Sequence, residues 1–198
     1  MHEPLGLFIH HIFPQFTMDW SLVEPHLETR SLKKGDFLIH EGDPCNLVGL
    51  TLHGCLRMFF LKDGKELTLF FCPEGYPLGD YQNLRLQRPA IFSCQAIEDS
   101  DVLILNRQVL TVLESASEGP QLMRQVVEFL AFRLRDRLLS LYRDTPEQRY
   151  LALMEAEPHL LQRVPQHYIA SYLGLEPESL SRLKRRLYQG QLSKQSKP

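Results

Sequence analysis

Glu178, Ser181, Arg182 and Arg185 stand at i, i+3, i+4 and i+7 near the C-terminal end of a 198-residue chain. On a helix that spacing puts all four on one polar face, opposite Leu180, Leu183 and Leu187. A guanidinium can bond guanine O6 and N7 bidentately, and a carboxylate can accept from the cytosine N4 amine. Lys184 and Arg186 flank the face and suit phosphates. The last seventeen residues carry six Lys or Arg and no acid, in a chain of net charge −2. The first 181, with sixteen Lys or Arg against twenty-four Asp or Glu, stand at −8. A basic end on an acidic body is the electrostatic footprint of a nucleic-acid-binding segment. A solvated helix end near the C-terminal dipole would account for Lys184 and Arg186 alone, but not for the whole face.

Such a face has to be held by a second helix. Gln166, Ala170, Gly174 and Leu180 follow the Q-x3-A-x3-G-x5-[VIL] spacing of a DNA-binding helix-turn-helix. Gly174 sits where the first helix must stop in a left-handed conformation, and Pro177 suits the first turn of the next. Ala170 is small enough for a close crossing, and Ile169, Leu173, Leu175, Leu180 and Leu183 supply the apolar contacts. Upstream, Thr145, Pro146 and Gln148 make a capping-box start for another helix. The polar tail after Leu187 is expected to fray.

From about Gln121 to Arg143, Met123, Val127, Leu130, Leu134, Leu138 and Leu141 recur at steps of four and three. They predict a helix of about 23 residues, roughly 35 Å long. Leu122, Val126, Phe129 and Phe132 form a second, partial stripe beside the first. Two apolar faces need two partners, and the pattern points to the N-terminal domain on one side and a second copy of the helix on the other. A single broad face wrapped by its own chain is the alternative on spacing alone.

Residues 29–106 read as short strands. "DFLIHEG", "NLVGLTLHG", "CLRMFFLKDG" and "ELTLFFCPEG" are apolar segments ending in or near glycine, with Asp63-Gly64 at the tip of the clearest hairpin. "FSCQAIE" and "SDVLILN" close the region. Frequent turns favour an antiparallel roll or barrel. Cys45, Cys55, Cys72 and Cys94 have no metal-ligand spacing and read as reduced core residues of a cytoplasmic protein. His10, His11, His40 and His53 show no spacing that singles out a metal or haem site. No membrane span or signal peptide is expected. No paired carboxylates, Ser/His/Asp set or phosphate loop stands at usable spacing, so no enzyme is expected.

In this order of parts, the chain resembles the Crp/Fnr superfamily of bacterial transcription regulators over residues 20–187. The resemblance rests on "KKGDFLIHEGDP", "LHGCLRMFFLKDGKE", the "GYPLGD" turn and "YIASYLGLEPESLSRLKRRL". It implies an α+β protein: a cyclic-nucleotide-binding-type β-roll with a helical lead-in (1–116), a dimerisation helix (117–144) and a helix-turn-helix domain (145–198). It also implies a homodimer on a palindromic double-stranded DNA site, and RNA polymerase as a partner. In the family an E-x-x-S-R arrangement reads bases, which here falls on Glu178, Ser181 and Arg182. Two departures are expected. Only eleven residues follow Leu187, so the β-hairpin wing is missing or vestigial, with Lys194 and Lys197 as loose substitutes. The N-terminal cysteine cluster of the iron–sulfur members is absent. A ligand-binding or protein-interaction module with a vestigial helix-turn-helix is the competing reading.

The resemblance also locates an effector pocket in residues 79–96. A cyclic nucleotide needs a guanidinium for its phosphate and a carboxylate for its ribose hydroxyl. Gly79 and Asp80 match the family's Gly-Glu with a shorter acid. Ten residues on, where the family's binders place Arg and a small residue, stand Ala90 and Ile91. Arg88 lies two residues early beside Pro89, and Arg85 is expected in a loop. The expectation is no useful cAMP or cGMP binding and no resident cofactor, with an apolar or differently charged effector, or none, in the roll.

Overall fold

The computed structural model describes Ile9 and residues 19–195, with side chains through Gln189. His10, His11, Lys197, the lead-in before Asp19 apart from Ile9, and the Lys194 side chain lie outside that description. Two 3-10 turns, Trp20–Leu22 and Glu24–His26, lead into the strands.

Strands β1 (Glu28–Leu32), β2 (Phe37–Ile39), β3 (Leu47–His53), β4 (Leu56–Lys62), β5 (Lys65–Cys72), β6 (Pro77–Gly79), β7 (Ser93–Ala96) and β8 (Ser100–Asn106) form two antiparallel sheets. Their orders are β1-β8-β3-β6 and β2-β7-β4-β5. Leu50, Leu56, Cys94, Val102 and Leu103 belong to the roll's buried apolar core. The β4–β5 hairpin closes on Lys62 opposite Lys65. Asp63 (φ 53°) and Gly64 (φ 75°) are both left-handed, the geometry whose twist matches the flanking strands in a two-residue turn.

"GYPLGD", expected as a turn, instead contains β6, which pairs with β3 from Val48–Gly79 to Leu50–Pro77. Pro77 opens this edge strand, where its missing N–H forfeits no ladder bond. Arg85 lies not in a loop but in the last turn of helix α1 (Tyr81–Leu86), because the buried Asp80 carboxylate caps that helix by accepting from Asn83 N.

Helix α2 (Arg107–Ser115) leads to the long helix α3 (Gly119–Arg143). A Cβ on Gly119 would sit 1.5 Å from the Leu113 carbonyl oxygen, so only glycine permits this tight elbow. Leu122 is buried against the roll, while Val127, Leu134, Leu138 and Leu141 are exposed. The inner stripe continues from Leu122, Val126 and Phe129 to Arg133, which lies on the roll side against Phe70 and Tyr76, whereas Phe132 is 55% exposed. Spacing explains that correction: position 133 follows 129 by four and returns to the same face, and 132 points outward.

Helix α4 (Pro146–Ala156) begins with the expected reciprocal capping box of Thr145 and Gln148. Helices α5 (Leu160–Arg163), α6 (Gln166–Leu173) and α7 (Pro177–Gln195) follow. The tail does not fray at Leu187: α7 stays helical to Gln195, with no proline between Pro177 and Gln195 to interrupt it. Arg149 ties the parts together, donating to the carbonyls of Asp144 (2.6 Å), just past α3, and Leu173 (2.8 Å), at the end of α6. A cation at two converging helix C-termini is favourably placed.

Candidate nucleic-acid interface and effector cavity

Gly174 takes up φ 71° at the end of α6, and its N–H bonds back to Ser171 O. That left-handed residue turns the chain into α7 with Ala170 fully buried at the crossing. Ile169, Leu173, Leu180 and Leu183 are buried around it. The core of the two helices thereby fixes which side of α7 faces water. Glu178, Ser181, Arg182 and Arg185 are all exposed on it. Arg182 Nη2 donates to Ser179 Oγ at 3.0 Å. The flanking cations already have partners: Lys184 Nζ donates to Gln166 Oε1 at 2.8 Å, and Arg186 pairs with Glu147. Both contacts are solvent-exposed, the kind of surface contact that a phosphate can displace.

The same domain docks against the roll. Arg57, 1% exposed, lies between the rings of Phe59 (3.8 Å) and Tyr168 (3.7 Å). Its Nη2 reaches Glu66 Oε2 at 2.5 Å and Gln95 Oε1 at 2.8 Å. Ser171 Oγ donates to Glu66 O (2.8 Å) and accepts from Thr68 N (2.9 Å). Arg163 bridges Glu74 and Glu98, and Tyr76 Oη donates to Glu157 Oε1 at 2.7 Å. Burial, and then the bond to Glu157, push the Tyr76 phenol up to about 12. Residues from both sides, among them Phe71, Ile97, Leu160 and Ile169, share one apolar cluster.

Between the roll and α3 lies a cavity of about 440 Å³. Gly79, Asp80 and Ile91 line it; Arg85, Arg88 and Ala90 are not among its lining residues. Arg85 pairs with Glu114 elsewhere, Arg88 is exposed, and Ala90 is buried, its N–H donating to Asp43 O. Asp80 accepts from Asn83 N, Asn83 Nδ2 and Ile91 N, so its carboxylate is committed to structure. Sequence reasoning missed Arg133 and Trp20 here; a charged residue continuing the inner apolar stripe of α3 was the available signal. Burial raises the thiols of Cys55, Cys94 and Cys72, the last to about 12. They are protonated at neutral pH, which suits neither a nucleophile nor a thiolate ligand. Among the described residues no group of His, Cys, Asp or Glu could hold a metal ion.

A β-roll, a long helix with one bare apolar stripe and a helix-turn-helix define the class: a sensor-type module joined to a DNA-binding module. Residues 29–115 match the cyclic nucleotide-binding domain family. The chain is 29% identical over 179 residues to the transcriptional activator protein Anr of Pseudomonas aeruginosa, covering 82% of this chain and 71% of that one. FixK2 from Bradyrhizobium japonicum has the same fold, with TM-score 0.69 and 24% identity over 83% of this chain and 85% of its own. The c-di-GMP-responsive global regulator CLP of Xanthomonas campestris gives TM-score 0.69 at 18% identity, covering 88% and 94%. The chain therefore carries a cyclic nucleotide-binding domain, and over most of its length it is similar to transcription regulators of the Crp/Fnr type.

Proposed function

We propose that this chain is a homodimeric, sequence-specific DNA-binding transcription regulator whose effector is neither cAMP nor cGMP. The observation that carries it is the face of α7: Glu178, Ser181, Arg182 and Arg185 together in solvent, on a helix set by the left-handed Gly174. Nucleotide-edge readers belong on such a face, because base pairs must replace its water. The bare stripe on α3, with Leu134 58% and Leu138 52% exposed, supports a second copy as its cover. Two-fold symmetry then calls for a palindromic site with half-sites about 34 Å, or a multiple of that, apart. No described helix is long and apolar enough to cross a membrane, and a cytoplasmic location with RNA polymerase as a partner goes with the regulator role. Against a cyclic nucleotide, the committed Asp80 leaves the ribose hydroxyl without an acceptor, and neither Arg85 nor Arg88 reaches the cavity.

The experiment is selection of bound DNA from random sequence, followed by salt-dependent titration of variants. Arg182→Ala is expected to cost about 1–3 kcal/mol and to relax preference at one base pair per half-site. Lys184→Ala weakens all sequences alike and lowers the salt slope by about one. Equal losses on selected and random DNA for Arg182→Ala would end its reading role. For the dimer, Leu130→Asp with Leu134→Asp places two charges in the seam, and sedimentation should report monomer. A monomeric wild-type protein, or a dimeric double variant, would reject this seam.

A further inference from the structure

The effector cavity is apolar almost throughout, with Trp20, Leu50, Met58, Phe92, Leu110 and Leu130 among its lining residues. Two charged side chains interrupt that lining, Asp80 and Arg133. The Asp80 carboxylate is held in place by its three N–H donors. Arg133 is not matched: no hydrogen bond or ion pair holds its guanidinium among the described residues. Instead it faces rings, with Tyr76 at 4.2 Å, Phe70 at 5.5 Å and Phe129 at 5.9 Å. Ring faces attract a cation but offer its N–H donors no acceptor, so on this half-buried side chain water or a ligand must supply one. Other guanidiniums between the parts have acceptors: Arg57 has Glu66, Arg163 has Glu74 and Glu98, and Arg149 has the carbonyls of Asp144 and Leu173.

We infer that the cavity takes an amphipathic organic anion, its apolar body between the roll and α3 and its carboxylate on Arg133. This rests on reading the roll as the effector module of a regulator and gives that effector a chemistry. The apolar walls desolvate the ligand body, which is the main source of affinity in such sites. The single cation orients it and rejects neutral or cationic analogues, because a charge-assisted bond formed away from bulk water is stronger than one in it. The location also connects to the DNA-binding half. The Tyr76 ring that supports Arg133 carries the hydroxyl bonded to Glu157, the residue that ends α4.

Trp20 is the chain's one tryptophan and lines the cavity, so its fluorescence reports occupancy directly. The full chain is titrated with phenylbutyrate, phenylbutanol and phenylbutylamine, which share an apolar body and differ in the head group. Saturable binding of the acid at least about tenfold tighter than the alcohol, with the amine weakest, is the expected order. Arg133→Met should bring the acid down to the alcohol and leave the alcohol unchanged; Arg133→Lys should retain part of the preference. The ranking on the unaltered protein needs no substitution, so a variant that fails to fold does not blunt the test. Equal affinities for acid and alcohol, an acid preference that survives Arg133→Met, or no saturable binding at all would overturn the inference. Binding of selected DNA is measured on the same preparations. Intact DNA binding without probe binding rejects the ligand assignment alone, and probe binding without DNA binding rejects the regulator reading.

Discussion

Arg57 and Arg133 are the same side chain in two unlike surroundings, one at the seam between the roll and the DNA-binding domain, the other in the cavity under α3. Arg57 is stacked on both faces and bonded to Glu66 and Gln95, leaving only Nη1 without a partner. Arg133 has rings and no acceptor. The first surface is closed within one chain, although Arg57 Nη1 and Thr68 Oγ1 are buried there without a partner among the described residues. The second has apolar walls, a cation without a protein acceptor among the described residues and, running on from Val127, Leu130 and Leu134 at its edge, the uncovered stripe of the same helix. Arg133 is only half-buried and its nitrogens stay open to water, so a partner from outside can displace that water and take up the cation.

The sharpest way to break that contrast is to make one substitution in both places. Arg57→Met removes a stacked, ion-paired side chain from a closed seam and should cost about 2–4 kcal/mol, read from the urea midpoint. Glu66 is 45% exposed, so the orphaned carboxylate can rehydrate and the loss stays below that of a fully buried pair. Arg133→Met should move the midpoint by no more than about 1 kcal/mol, since only ring contacts are lost and the body of the side chain is replaced. Equal losses at the two sites would erase the distinction.

A smaller effect separates the seam by pH. Burial raises the Glu74 carboxyl, but the bonds from Arg163 and Gly54 N outweigh it and hold the group below its ordinary 4.5. A depressed carboxyl contributes stability that is complete above its unfolded value and lost as the pH falls through the folded one. Stability should therefore fall on acidification below 4.5, and Arg163→Gln should flatten that slope while leaving the exposed polar face of α7 untouched. The smallest effect is a gain. Thr68 Oγ1 is buried without a partner beside the seam, so Thr68→Val should stabilise by about 0.5–1 kcal/mol in thermal melts.

Local signals made the DNA-binding half legible. Gly174, Ala170, Pro177 and the Thr145–Gln148 box each impose a backbone geometry within a few residues, and each stands where its chemistry placed it. The two stripes on α3 were visible for the same reason, as periodicity belongs to one element. The cavity was not, because its walls come from residues as far apart as Trp20, Leu78 and Arg133. Counting along one strand from Asp80 toward Arg88 could not reveal a cation supplied by a helix forty-five residues later. Helix α2 was missed too: its nine residues follow directly on β8, and Asn106, the cap that starts it, also ends the strand.

Ser171 has a consequence beyond docking. β5 is an outer strand of its sheet, and at Glu66 and Thr68 the serine hydroxyl takes up a carbonyl and an N–H that a further strand would use. Any state of the chain in which α6 leaves the roll bares the edge of an eight-residue strand, Lys65–Cys72, rich in Leu and Phe toward its end. Bare edges of that composition recruit other chains into shared sheets. The contact that seats the DNA-binding domain therefore also guards against aggregation, and variants that loosen it should be recognised first by their solubility in concentrated solution.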